Sequence, residues 1–132
     1  MFIDASALVA IVAGEADGED LRQRLKAHRR RSISALSEFE AALALARIRS
    51  ISVAAAFDLV LRFKKIYAVK GTGIEPRLSG LAIQAFHQFG KGQGHRAKLN
   101  MGDCFSYACA KDSNVPLLCK GEDFVHTDIE IA

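Results

Sequence analysis

Short apolar runs alternate with longer helical stretches along this chain, and that alternation predicts a sheet wrapped by helices. Residues 1–4 (MFID) read as a first strand, followed by a short helix over 6–12 that Gly14 ends. Residues 17–28 carry polar and apolar positions at helical spacing, with acids early and bases late, as the helix dipole prefers. Residues 31–34 read as a second strand. Helices over 35–47 and 53–67 follow, separated near Ser50–Ser52, where Ser52 suits an N-cap. Residues 70–76, with two glycines and a proline, form a turn and at most a short strand. A helix over 78–89, a loop marked by Gly90, Gly92 and Gly94, and a helix from Asp103 to about Lys111 come next. Residues 115–119 make a fourth strand, and 129–131 a fifth strand or a tail. Strands alternating with helices imply a parallel sheet covered on both faces, an α/β fold.

Composition narrows this picture without changing it. The 132 residues suit one domain spanning 1–132, and no apolar run is long enough to span a bilayer. The N-terminus lacks the basic and apolar segments of a secretory signal, so the expected location is cytoplasmic, with no membrane partner. Cys104, Cys109 and Cys119 are odd in number and lack metal-finger spacing; they read as buried small hydrophobes. The formal charge of +3 is too small to establish a nucleic-acid partner. It is concentrated, however, in one cluster at Lys26, His28, Arg29, Arg30 and Arg31, and another at Lys91, His95, Arg96 and Lys98. Both are candidate phosphate contacts as well as ordinary solvated surface.

The acids carry the chemistry. Asp4 ends the first strand, where open α/β sheets gather ligands; taken alone, an Asp there serves as a turn or cap residue. Ser6 caps the next helix or supports a water in such a site. In ISALSEFEAALAL, the spacing of Leu36, Phe39 and Leu43 suggests a buried stripe that includes Glu40, with Glu38 turned toward water. A carboxylate among apolar residues is costly unless a cation or hydrogen bonds compensate, so Glu40 is a candidate ligand, or else a partner for Arg47. Asp103, after Gly102, stands at the first turn of its helix as an N-cap or a second metal contact. Glu122 and Asp123 follow the last strand after a glycine turn, and Asp123 is anchored by Phe124. Carboxylates meeting in one crevice repel unless a divalent cation neutralises them, and oxygen ligands with few histidines favour Mg²⁺, with Mn²⁺ as the alternative.

The segments FIDASALVAIVAGE, ISALSEFEAALAL, HQFGKG, AKLNMGDCFSYACAK and PLLCKGEDFVHTDI together resemble PIN-domain ribonucleases, and among them the VapC-type toxins of bacterial toxin–antitoxin pairs. The resemblance covers nearly the whole chain. It implies a three-layer α/β/α PIN-like fold with a central parallel sheet of four to five strands. It also implies an Mg²⁺-dependent endoribonuclease that uses activated water to leave a 5′-phosphate and a 3′-hydroxyl. Asp4 and Asp103 match the metal-binding aspartates, Glu40 the helix glutamate, and Asp123 the fourth acid, with Glu122 adjacent. The implied partners are an RNA substrate, flanked by the basic clusters, a cognate antitoxin and a second copy in a homodimer. The apolar helices around 41–48 and 57–66 are candidates for either protein surface, although most of their residues read as core. Competing readings are a catalytically silent PIN-like RNA-binding scaffold and a phosphoacceptor receiver-like domain. The receiver reading lacks paired acids after the first strand and an Asp after the third. A dehalogenase-like phosphatase would need Asp where Ser6 stands.

Overall fold

A strand buried on both faces has no polar side, and FI and LL fit that requirement. The computed structural model describes residues 1–132. Four short parallel strands, β1 Phe2–Ile3, β2 Ser32–Ser34, β3 Lys70–Thr72 and β4 Leu117–Leu118, lie in the order β3-β2-β1-β4. Phe2 registers with Leu117 and Ile3 with Leu118. Because successive side chains alternate in direction, Phe2 and Leu117 enter one core while Ile3 and Leu118 enter the other.

Four helices cover the Ile3 face: α1 Ala5–Ala13, α2 Gly18–Ala27, α3 Ala35–Arg49 and α4 Val53–Ile66. Two cover the Phe2 face: α5 Leu78–Phe89 and α6 Met101–Asp112. The result is the expected three-layer α/β/α arrangement. Gly14 ends α1 in the left-handed conformation, φ 75°, and Ser52 caps α4 by accepting from the Ala55 amide at 3.1 Å. Residues 129–131 supply one parallel bridge, Ile131 to Leu117, rather than a full fifth strand. The turn-rich 70–76 segment does yield a strand, a polar one at the sheet edge, where no facing layer demands apolar side chains.

The helical face predicted for α3 is corrected. Phe39 is 59% and Leu43 41% exposed, and Leu36 is only half-buried. The buried residues are Ser37, Ala41, Ala42, Leu45 and Ala46, and all but Leu45 are small side chains that let α3 pack closely. Apolar residues lie almost all around this helix, so periodicity alone could not choose the face. Glu38 does not point freely to water either: it pairs with Lys64 of α4 at 2.5 Å, and its side chain is 13% exposed.

Strand order also locates the crevice. The chain moves outward from β1 to β2 and β3, then returns to place β4 on the other side of β1. Parallel sheets open a ligand crevice at such a reversal, beyond the carboxyl ends of the strands. Asp4 stands there, its amide donating to Leu118 O at 2.9 Å.

Candidate metal centre

Asp4 is held by local geometry. As N-cap of α1 its Oδ2 accepts from the Ser6 amide at 2.8 Å and from Ser6 Oγ at 2.5 Å. Its Oδ1 accepts from Ser106 Oγ of α6 at 2.7 Å. The carboxylate is 5% exposed, so these donors offset most of what burial would otherwise cost. Ser6 Oγ in turn accepts from the Lys120 amide at 3.0 Å, tying the end of β4 to the start of α1. Lys120 Nζ pairs with Glu15, which braces the same junction from outside.

Ser106 belongs to a buried hydroxyl chain. Its Oγ lies 3.4 Å from Ser37 Oγ, which lies 2.9 Å from Ser34 Oγ. Ser34 is also the N-cap of α3, accepting from the Ser37 amide at 3.1 Å. These serines place Asp4 relative to α3 and α6, the two helices that carry the other central acids. Sequence reasoning missed them, although a serine three residues after Asp103 shares its helix face and was a usable signal.

Asp103 is not the cap of its helix, as its position had suggested. Asn100 is the N-cap, and α6 starts two residues earlier than expected. Asp103 occupies the third helical position and closes a capping box: its Oδ2 accepts from the Asn100 amide at 2.8 Å, and its own amide donates to Asn100 Oδ1 at 3.0 Å. The reciprocal bonds fix the first turn and leave the carboxylate at the crevice. Burial first, then the nearby Asp4 and Asp123, lift its pKa to about 6 despite the Asn100 hydrogen bond.

Glu40 reaches the same crevice from α3. Burial, then Asp4, then Asp103 raise its carboxyl to about 7. It makes no ion pair with Arg47. Gly102 is what admits it: a Cβ there would lie 2.0 Å from Glu40 Oε1. This glycine permits a close approach rather than an unusual backbone angle.

Asp123 is exposed and caps nothing through its side chain, yet it is near enough to Asp103 to raise that group's pKa. Glu122 is exposed as well and enters none of the couplings among Asp4, Glu40 and Asp103. The Cys119 thiol, pushed up to about 12 mainly by burial, with Asp4 the next cause, also feels Asp103 and Asp123. It and the other two cysteines are buried and unpaired.

The acids are within electrostatic reach of one another, but no three His, Cys, Asp or Glu side chains close into a metal cage. The donor set is nevertheless suited to a hard cation: all oxygen, and with two carboxyls lifted first by burial and then by the neighbouring acids. An apolar cavity of about 480 Å³ between α5 and α6 is lined by Ile83, Phe86, Met101 and Phe105 and holds none of these acids.

The two basic clusters separate. Lys91, Arg96 and Lys98 lie in the loop that feeds the first turn of α6, at the acidic end. Arg29, Arg30 and Arg31 precede β2 and lie at the opposite end of the sheet. The expectation that both flank one cleavage site is corrected for the Arg29–Arg31 cluster.

Comparison with known proteins agrees with this architecture. The PIN-domain family model matches residues 1–130. Ribonuclease VapC42 of Mycobacterium tuberculosis is 36% identical over 132 residues, 100% of this chain and 98% of that protein. Ribonuclease VapC30 of the same organism is 42% identical over 129 residues, covering 98% and 95%. A VapC ribonuclease of Rhizobium meliloti is 37% identical over 97% of this chain and 98% of its own. The crystal structure of Mycobacterium tuberculosis VapC20, described as a toxin cleaving the sarcin–ricin loop, superposes with a TM-score of 0.73 at 19% identity, over 99% and 97% of the two chains. With its strand-end aspartate at the β1–β4 reversal and two helix-borne acids facing it, the chain belongs to the PIN-domain family, among the VapC ribonucleases.

Proposed function

We propose that this chain is the endoribonuclease toxin of a type II toxin–antitoxin pair and that it needs Mg²⁺, with Mn²⁺ as a substitute. The observation that carries this reading is the meeting of Asp4, Glu40 and Asp103 from three separate elements at the sheet's reversal point. Asp4 and Asp103 would hold the ion, with Glu40 and Asp123 completing its surroundings directly or through water. A bound divalent ion supplies Lewis-acid stabilisation of a phosphate oxygen and makes a nearby water more acidic.

The remaining steps belong to the chain's own residues. Ser6 and Ser106 keep both Asp4 oxygens aimed, so little reorganisation is needed as charge develops. The Asn100 box does the same for Asp103. Glu40, lifted to about 7, would accept a proton at a carboxylate oxygen as water attacks phosphorus. Lys91, Arg96 and Lys98 would hold phosphates beside the cut. Glu122 has only a supporting role in this reading.

The expected partners are RNA, a cognate antitoxin and a second copy of the chain. The exposed Phe39, Leu43, Phe57 and Leu61 on α3 and α4 supply apolar surface for one of the protein partners. Phe39 is adjacent to Glu40, so a partner seated there would shield the acids. No helix is long and apolar enough to cross a membrane. The kinship with VapC ribonucleases is what supports a reaction in the cytoplasm.

The test is RNA cleavage with Mg²⁺ and with EDTA, followed by analysis of the new ends. Mg²⁺-dependent cuts leaving 5′-phosphates are expected. Binding of RNA without any cleavage would replace the toxin reading with that of a silent scaffold.

A further inference from the structure

A cluster of carboxylates repels a polyanion, so a protein that brings RNA to such a cluster must attract it from elsewhere. We propose that the concavity across the N-terminal ends of the strands is a second RNA-backbone site, remote from the acidic crevice. The proposal rests on the ribonuclease reading for the identity of its ligand.

The hollow has a volume of about 320 Å³, and Arg29, Arg30, Arg31 and Lys70 line it without any carboxylate. It lies where the strands begin: Arg31 precedes β2, Lys70 opens β3, and Val115 precedes β4. None of Arg29, Arg30 and Lys70 takes part in an ion pair, whereas Lys64, Arg77, Lys111 and Lys120 all do. The neighbouring acids, Asp128 and Glu130, line a separate hollow beyond Val115, and Asp128 is engaged by Lys111 and Tyr107.

Arg31 gives this surface its shape. Its Nε donates to Leu25 O at 2.9 Å and its Nη1 to Tyr67 O at 2.5 Å, bracing the loop that carries the other two arginines. Arg29 and Arg30 remain exposed on that fixed loop. A braced backbone presenting free guanidinium forks and a lysine suits a row of phosphates, since the forks need little further ordering.

Residues 1 and 4 are three extended steps apart, so the two ends of the sheet are separated by about 10 Å through the body. Around the outside, for a chain with a radius of gyration of about 14 Å, the path is on the order of 50 Å. A stacked strand advances about 3.4 Å per nucleotide, so about 15 nucleotides are needed to touch both ends. The inferred consequence is a preference for long or folded RNA over short oligomers.

The experiment measures binding of the full chain carrying Asp4→Asn, in EDTA, to an RNA hexamer and to a hairpin RNA of about 40 nucleotides across a salt series. Adding Arg29→Ala, Arg30→Ala and Lys70→Ala should weaken hairpin binding about tenfold or more and flatten the log–log salt slope by about 2 to 3. Hexamer binding should weaken by a clearly smaller factor, because a hexamer can touch either basic surface but cannot bridge the two ends of the sheet. Arg31 is left intact so that the loop keeps its brace, and a native thermal transition verifies the fold. Arg29→Lys with Arg30→Lys should retain the slope. Unchanged hairpin affinity in the alanine variant, or equal weakening of both probes, overturns the proposal. So does competition by polyglutamate as effective as that by polyuridylate, which would mark the surface as one for acidic proteins. Absence of Mg²⁺-dependent cleavage by the unmodified chain would remove the catalytic reading instead, and the binding comparison would still be decided by these measurements.

Discussion

The two ends of this sheet hold opposite charge and hold it in different ways. At the carboxyl ends, Asp4, Glu40 and Asp103 are partly or wholly buried, arrive from different elements, and are oriented by serines and a capping box. At the amino ends, Arg29, Arg30 and Lys70 are exposed, and their scaffold is one braced loop and one strand start. The acidic end is therefore precise but strained when ionised, because burial first and the neighbouring acids second lift the carboxyls of Glu40 and Asp103. The basic end is loose in its side chains and little strained. Chemistry at a fixed point needs the first arrangement; capture of a flexible polyanion can use the second.

Substituting the acids tests the comparison most severely. Asp4→Asn or Asp103→Asn should remove several kcal/mol of transition-state stabilisation, a loss of at least about a hundredfold in cleavage, with the fold retained. Full activity in both variants would show that the reaction does not take place at this end of the sheet.

Ser106→Ala asks whether precision comes from the hydroxyl chain. Asp4 Oδ1 would lose its donor while buried, so stability should fall by about 1–3 kcal/mol. Divalent-ion affinity, measured by titration calorimetry, should fall about 10–100-fold. Wild-type affinity would restrict Ser106 to packing.

Gly102→Ala probes the gap that admits Glu40. The new methyl meets the mobile end of the Glu40 side chain, so the glutamate should swing away at little cost in stability. Cleavage should drop about tenfold, an effect of about 1.4 kcal/mol. A large fall in melting temperature instead would mean that the helices themselves are forced apart.

Taken per group, the smallest expected effect is a pH dependence. Folded Glu40 and Asp103 bind protons more tightly than the unfolded chain does, because their pKa values of about 7 and about 6 lie above the ordinary carboxylate range. Between that range and neutrality the native state holds more protons, so stability falls as pH rises. In EDTA the decline should be on the order of 1 kcal/mol per group, allowing for screening at a partly open site. Millimolar Mg²⁺ at pH 7 should reverse it by binding the ionised native state. Stability that rises with pH over this window would contradict the strained acidic end.

Much of the fold was legible because local rules and tertiary packing agreed. FI and LL are apolar at adjacent positions, as strands covered on both faces must be, and Ser52 and Gly14 act where capping rules place them. Helix α3 was misread because apolar residues surround it, and small alanines rather than Phe39 and Leu43 form its close contacts. The start of α6 was misread because Asn100 and Asp103 are both capping residues, and their reciprocal bonds are what decide their order. Asp4 and Asp103 stood out by their positions next to a strand end and a glycine. Ser34, Ser37 and Ser106 did not, since isolated serines are common everywhere and only their stacking behind Asp4 makes them informative.

By itself, the sequence determined the kinds of element, the order in which they follow and the presence of acids next to strand and helix ends, because these depend on side-chain type and near neighbours. Only the tertiary structure decided which face of α3 is buried, which serines orient Asp4, and that one arginine cluster lies across the sheet from the acids. Those outcomes depend on strand order and helix packing, which join residues as far apart as Asp4 and Ser106 and are set by the whole core rather than by any local pattern.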